Sequence, residues 1–167
     1  MRAAAVCWPF RRSVADTLQL ALFEPEIPDN AGAIARLCAA TGAPLHLIGR
    51  LGFSLQHPKA KRSGMDYWEQ VEVHRHLTLP DFLQAVKPHP VWMLSTHGER
   101  ALYDTKFAPG AVLLFGPESR GLPADLLRAE PKRVLRIPMR PDARSLNLAT
   151  AAAVALYEGV RQLGFPG

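Results

Sequence analysis

No apolar run in this chain is long enough to span a bilayer, which argues against a membrane protein. Only two cysteines occur, Cys7 and Cys38, and they show no metal-ligand spacing. Cys38 falls in an apolar helical pattern that suits a buried, reduced thiol and a reducing cytoplasm. Six histidines are present, but the closest pair, His74 and His76, lies in a strand-like stretch without further ligands nearby, so no metal is expected. No internal repeat or low-complexity tract is visible. The amino terminus also lacks the order of an export signal: its short apolar patch, Ala3 to Trp8, precedes Arg11 and Arg12 instead of following them. Residues 1–17 therefore read as a leader of unknown role.

Several cofactor and catalytic signatures are missing as well. No Gly-x-Gly-x-x-Gly follows the first apolar run and no Gly-x-x-x-x-Gly-Lys-Ser/Thr occurs, which removes the main support for NAD or ATP binding. The segment Gly116-Pro117-Glu118-Ser119-Arg120-Gly121 sets a serine between glycines without forming the Gly-x-Ser-x-Gly elbow of a hydrolase.

What is present is one ordinary globular domain, assigned to residues 18–167. With 167 residues, 48% of them hydrophobic and 21% charged, the chain can bury a single proper core. A net charge of +5 and a pI near 9.6 favour a polyanionic partner, because cationic surface gains affinity by releasing counterions from phosphates. Charge alone does not separate nucleic-acid binders from other basic proteins.

Extended and helical patterns alternate from Leu18 onward. Strands are expected at 18–23, 45–48, 71–74, 91–96, 111–115 and 134–137, and helices at 30–41, 80–86, 123–129 and 146–163. Asn30 reads as an N-cap and Gly42 as a terminator of the first helix. The 15 prolines fall mostly at inferred element boundaries. Such alternation predicts an α/β fold, a mainly parallel sheet with helices on both faces and ligands at the carboxyl ends of the strands.

Three polar loops lie at such ends. One is Pro28-Asp29-Asn30-Ala31-Gly32-Ala33-Ile34-Ala35-Arg36. The second is Leu114 through Pro123. The third, Ile137-Pro138-Met139-Arg140-Pro141-Asp142-Ala143-Arg144-Ser145-Leu146-Asn147, is the most informative stretch of the chain. It carries an apolar strand through backbone donors, a hydroxyl and an amide straight to a helix N-terminus, where unpaired N–H groups await acceptors.

Taken in order, these segments resemble the SPOUT superfamily of knotted RNA methyltransferases, and within it the TrmL group of tRNA ribose 2′-O-methyltransferases. The motifs that carry the resemblance are Asn30-Ala31-Gly32 with Arg36, Phe115 to Gly121, and Ile137-Pro138-Met139 through Ser145-Leu146-Asn147. Glu24-Pro25-Glu26-Ile27-Pro28, Arg62-Ser63-Gly64-Met65-Asp66-Tyr67, Tyr157-Glu158 and Arg161-Gln162-Leu163-Gly164 extend it from Leu18 to Gly164; the leader departs from the pattern. The resemblance implies a C-terminal trefoil knot, S-adenosylmethionine as cofactor, a homodimer, and a tRNA substrate methylated at the wobble cytidine or modified uridine of tRNA-Leu. It places Leu94, Gly116, Ile137, Met139, Ser145 and Leu146 at the cofactor and Arg36 at the target ribose. The alternatives are another tRNA position, ribosomal RNA, or an RNA-binding protein without catalysis.

The residue chemistry is compatible with that implication. Adenine recognition needs backbone donors and acceptors beside apolar walls, which strand ends followed by Gly116, Ile137, Met139 and Leu146 provide. Leu94 and Ile137 are core residues in any case, so their contacts with a cofactor would run through the backbone. The sulfonium methyl is already activated, so the protein's task is to align a 2′-hydroxyl and manage its proton. Arg36 is a poor general base, since a guanidinium almost never deprotonates; holding a phosphate or the developing alkoxide suits it better, with a helix-surface ion pair as the plain alternative. Asn30 can cap its helix, touch RNA, or both. Glu118 and Arg120 can pair with one another or meet substrate, and Asn147 can orient the third loop. Arg50, Lys59, Lys61 and Arg62, interleaved with Phe53, Tyr67 and Trp68, form a candidate tRNA-facing patch, with a solvated charged loop as the competing reading. Ala149, Ala151, Ala152, Ala153 and Ala155 suit either a dimer contact or burial within one domain.

Overall fold

The computed structural model describes residues 17–54 and 65–164. Strands β1 (Gln19–Phe23), β2 (Leu45–Ile48), β3 (Val73–His76), β4 (Val91–Leu94), β5 (Arg100–Ala101), β6 (Val112–Phe115) and β7 (Val134–Arg136) form one sheet in the order β3-β2-β1-β6-β4-β7-β5. Every pairing in it is parallel. A parallel sheet must be covered on both faces. Helices α1 (Pro28–Thr41) and α4 (Leu148–Leu163) pack on one face, while α2 (Leu79–Ala85) and α3 (Ala124–Ala129) pack on the other.

Period-two alternation divides the strands between two cores. Leu20, Leu22, Leu113, Phe115 and Trp92 face α1 and α4, where they meet Ile34, Cys38, Ala152, Ala155 and Leu156. Ala21, Val112, Leu114 and Met93 face Phe82 and Val86 on the other side. Small residues on α4 thus serve the domain's own packing: Ala152 and Ala155 are fully buried against this core. Burial pushes the Cys38 thiol up to about 12, as expected for an inert core thiol.

Element ends follow local chemistry. Gly42 terminates α1 in the left-handed conformation at φ 71°. Thr78 and Asp81 form a reciprocal capping box on α2. Asn147 caps α4, its side-chain oxygen accepting from the N–H groups of Ala149 and Thr150. It precedes the helix, which begins two residues later than the sequence pattern suggests. Asn30, expected as a cap, is not one: α1 starts at Pro28 with Ile27 at the cap position, so the Asn30 amide is turned to other partners. The strand expected at 71–74 lies at Val73–His76, two residues on.

At the β3 edge the shift aligns His46 with His74 in register and brings His76 within 2.9 Å of His46 Nδ1. The Gln19 amide is oriented by donating from Nε2 to the Gly110 carbonyl, so its oxygen accepts from His46 Nε2–H. His46 Nδ1 then accepts from His76 Nε2–H. Burial, reinforced by His74 and His76, pushes the His46 imidazole down to about 3. Among the described residues no group of three or more His, Cys, Asp or Glu side chains is placed to hold a metal ion, and no helix is long and apolar enough to cross a membrane.

Candidate active site

The strand order brings the carboxyl ends of β6, β4 and β7 side by side, where the chain opens a cleft of about 510 Å³. That volume lies in the range of sites for organic ligands of cofactor size. Leu94 ends β4, Gly116 follows β6 and Ile137 follows β7, so three strand ends supply the floor. Met139, Ser145 and Leu146 line it from the loop between β7 and α4. Leu94 and Ile137 are half-buried against the core, as residues shared between packing and a pocket wall should be.

Gly116 is required by close approach. A Cβ at this position would sit 2.3 Å from the Gly121 carbonyl carbon and the Leu122 nitrogen, closer than side chains come to backbone. The loop after β6 folds back there, with Gly121 N–H donating to the Pro117 carbonyl at 2.9 Å. Gly121 itself holds φ 70°.

Side chains from the three polar loops join at the cleft. Glu118 accepts from the backbone N–H groups of Glu26 at 2.9 Å and Ile27 at 3.2 Å, and from Asn30 Nδ2 at 2.9 Å. Asn30 Oδ1 accepts in turn from Asn147 Nδ2 at 2.8 Å, and Asn147 caps α4. One hydrogen-bonded chain therefore runs from the α1 entrance through the middle loop to the α4 N-terminus. Asn30 is 7% exposed and both ends of its amide are engaged, so its orientation is fixed.

A second lock lies beside the first. Glu26 accepts from the Ser119 hydroxyl at 2.7 Å and from the Ser119 N–H at 2.9 Å, and these bonds, with Arg120 nearby, hold its carboxyl below the ordinary range. Arg120 pairs with Glu24 and reaches Glu26 at 3.5 Å. Glu118 and Arg120 thus do not pair with one another. Glu24 adopts φ 46°, unusual for a residue with a side chain, where β1 turns into this loop.

The remaining expected residues fall elsewhere. Arg36 is exposed on α1 and does not line the cleft. Lys59, Lys61 and Arg62 lie outside the described residues. Trp68 packs against the α1-side core, so its ring is committed to the fold and is not a free stacking platform. Ser95, Thr96 and His97 line the cleft without having been anticipated. Their signal was available, since a polar trio directly after the apolar β4 sits at a strand's carboxyl end, where such folds bind ligands. Ser95 N–H donates to the Leu135 carbonyl at 3.0 Å, tying that loop to β7.

The cleft's composition fits S-adenosylmethionine. Leu94, Ile137, Met139 and Leu146 offer apolar wall, Ser95, Thr96 and Ser145 offer hydroxyls, and the backbone beside Gly116 is open to close contact.

Residues 17–157 match the SpoU rRNA Methylase family. A tRNA (cytidine(34)-2'-O)-methyltransferase of Aeromonas hydrophila subsp. hydrophila is 50% identical over 151 residues, spanning 90% of this chain and 97% of the relative. A solved structure described as giving insight into the 2-OH methylation of C/U34 on tRNA is 51% identical, with a TM-score of 0.84 over 89% of this chain and 97% of that one. The SpoU methyltransferase AviRb from Streptomyces viridochromogenes, solved in complex with AdoMet, is 30% identical with a TM-score of 0.77, over 93% of this chain and 62% of that one.

Proposed function

The chain belongs to the SpoU rRNA Methylase family, and from that membership we propose that it transfers the methyl group of S-adenosylmethionine to the ribose 2′-hydroxyl of the wobble nucleotide, C34, of tRNA. The observation that carries this reading is the convergence of Asn30, Glu118 and Asn147 on a cleft of cofactor size, in a chain half identical to an enzyme of that name over nearly its whole length. Two solved rRNA methyltransferases of Sinorhizobium meliloti are more distant and are spanned less fully, which favours tRNA over the family's rRNA label. The motifs that meet at the cleft favour an enzyme over a non-catalytic RNA binder.

The cofactor, when bound, supplies a methyl group already activated by its sulfonium. The protein then has to position the ribose and tolerate the loss of its proton. Leu94, Gly116, Ile137, Met139, Ser145 and Leu146 hold the cofactor in this reading, and the Glu118–Asn30–Asn147 chain keeps the loops that form its pocket in register. The Arg36 guanidinium steadies the phosphate or the developing alkoxide; an RNA phosphate takes the proton.

Three finer features belong to the same reading. The C-terminal segment threads a trefoil knot, supported by the tight closure of the loop after Gly116 and by the return of α4 onto α1. The protein is a homodimer, supported by the half-exposed Tyr157 on α4 and by the position of Arg36 outside its own cleft. It acts on tRNA-Leu in the cytoplasm. Incubating the protein with S-adenosylmethionine, total tRNA and ribosomal RNA, and mapping the methylated riboses, tests the reaction. Methylation confined to ribosomal RNA, or absent, would sink it. Sedimentation as a monomer at micromolar concentration would remove the dimer.

A further inference from the structure

Charged side chains of both signs gather at and beside the cleft. Glu118 and Arg120 line it, Glu118 accepting from the backbone N–H groups of Glu26 and Ile27 and Arg120 already paired with Glu24 and Glu26. The end of β7 and the segment that follows it carry Arg136, Arg140 and Arg144 against a single acid, Asp142. Each of these arginines is next to a residue that lines the cleft: Arg136 precedes Ile137, Arg140 follows Met139, and Arg144 precedes Ser145. The chain turns between them, with Ala143 N–H donating to the Arg140 carbonyl at 3.0 Å, so the segment leaves the floor and comes back to it.

All three side chains are exposed. Among the described residues no ion pair engages Arg136 or Arg144. Arg140 meets Asp142 at 3.3 Å, but with side chains 86% and 74% exposed the pair is solvent-screened and leaves the guanidinium available. Neighbouring cations are used differently: Arg133 stacks on Trp92 at 4.6 Å and Arg128 pairs with Asp125. Three exposed arginines therefore flank residues that line the cleft.

Resting on the methyltransferase reading, we propose that Arg136, Arg140 and Arg144 form the track for the phosphodiester backbone of the bound RNA beside the reacting ribose. A polyanion is attracted to these exposed guanidinium groups beside the cleft, so the backbone runs over the segment 136–144 and the ribose faces the cleft. Guanidinium groups suit the task, since their forked donors match phosphate oxygens. The track sets the direction of strand entry as well as contributing affinity.

The test is the triple variant Arg136→Gln, Arg140→Gln, Arg144→Gln, compared with a triple lysine variant that keeps the charge. S-adenosylmethionine affinity is read by calorimetry, tRNA affinity by filter binding from 50 to 300 mM KCl, and turnover by methyl incorporation. The glutamine triple is expected to keep cofactor affinity within about twofold and to raise the KM for tRNA at least tenfold, with a much smaller effect on kcat. The slope of log K against log salt should fall by about 2 to 3, since each phosphate contact contributes about 0.7 to 0.9. The lysine triple should retain most of that slope. An unchanged slope and KM would overturn the track, as would lost cofactor affinity at unchanged melting temperature, which would assign the arginines to the cofactor. If the triple melts early, Arg140→Gln alone must still lower the slope by about 0.7 to 0.9. A wild-type protein that binds tRNA but methylates none would sink the methyltransferase reading, while the salt slopes would still test the track.

Discussion

Asn147 and Asn30 are 117 positions apart in the chain, and the amide of one donates to the amide of the other at 2.8 Å. Asn147 uses its oxygen to cap α4 and its nitrogen to hold Asn30, so one side chain fixes both the start of the last helix and the orientation of the first polar loop.

The two tasks separate in Asn147→Asp. Aspartate is as good a cap as asparagine, so the melting temperature should change little. Asn30 Oδ1 would then face an acceptor, and flipping the amide would set its oxygen against Glu118 instead, so either arrangement leaves an acceptor–acceptor contact. Methyl transfer should fall at least tenfold. Asn147→Ala, by contrast, removes the cap too and should cost about 1 kcal/mol of stability, measured by urea unfolding. Full activity in Asn147→Asp would show that the Asn30 link is incidental.

Gly116→Ala puts a methyl group 2.3 Å from backbone atoms of Gly121 and Leu122, which cannot rotate away. The loop must shift into or out of the cleft, so cofactor affinity should drop by an order of magnitude or more in calorimetry. Because the disturbance is local to the loop, far-UV circular dichroism should be retained.

Arg36→Ala should abolish methyl transfer while leaving cofactor affinity within about twofold, since Arg36 does not line the cleft. Normal turnover would remove Arg36 from the mechanism.

His46 gives a pH dependence of stability. Its folded-state value is about 3 and its ordinary value 6.5, so above pH 6.5 both states are neutral and below it the unfolded chain takes up a proton that the fold refuses. Stability therefore falls as pH drops from 6.5 toward 3, by about 1.4 kcal/mol per unit. His76, also lowered by burial, adds in the same direction. Between pH 7 and pH 5 urea unfolding should lose roughly 2 kcal/mol. His46→Gln should flatten that slope, and an equal slope in the variant would assign the effect elsewhere.

The order of four helices and of six of the seven strands, the termination of α1 at Gly42 and the use of strand ends as a ligand site were legible in the sequence, because they depend on contacts between near neighbours and on periodicity; the two-residue β5 is too short to show a period. The roles of Asn30, Glu118 and Arg120 were not, since local propensity makes Asn30 a cap and nearness makes Glu118 and Arg120 a pair. Trp68 looked like an exposed ring because its loop is polar, and only packing showed it belongs to the core. By itself the sequence determined which residues are apolar, where the backbone can turn and which polar groups gather at strand ends. The tertiary structure alone decided that β6 lies between β1 and β4, with β7 beyond β4, because pairings between distant strands are settled by burying both faces of the sheet together. That order brings three distant loops to one cleft, where Asn30, Glu118 and Asn147 join.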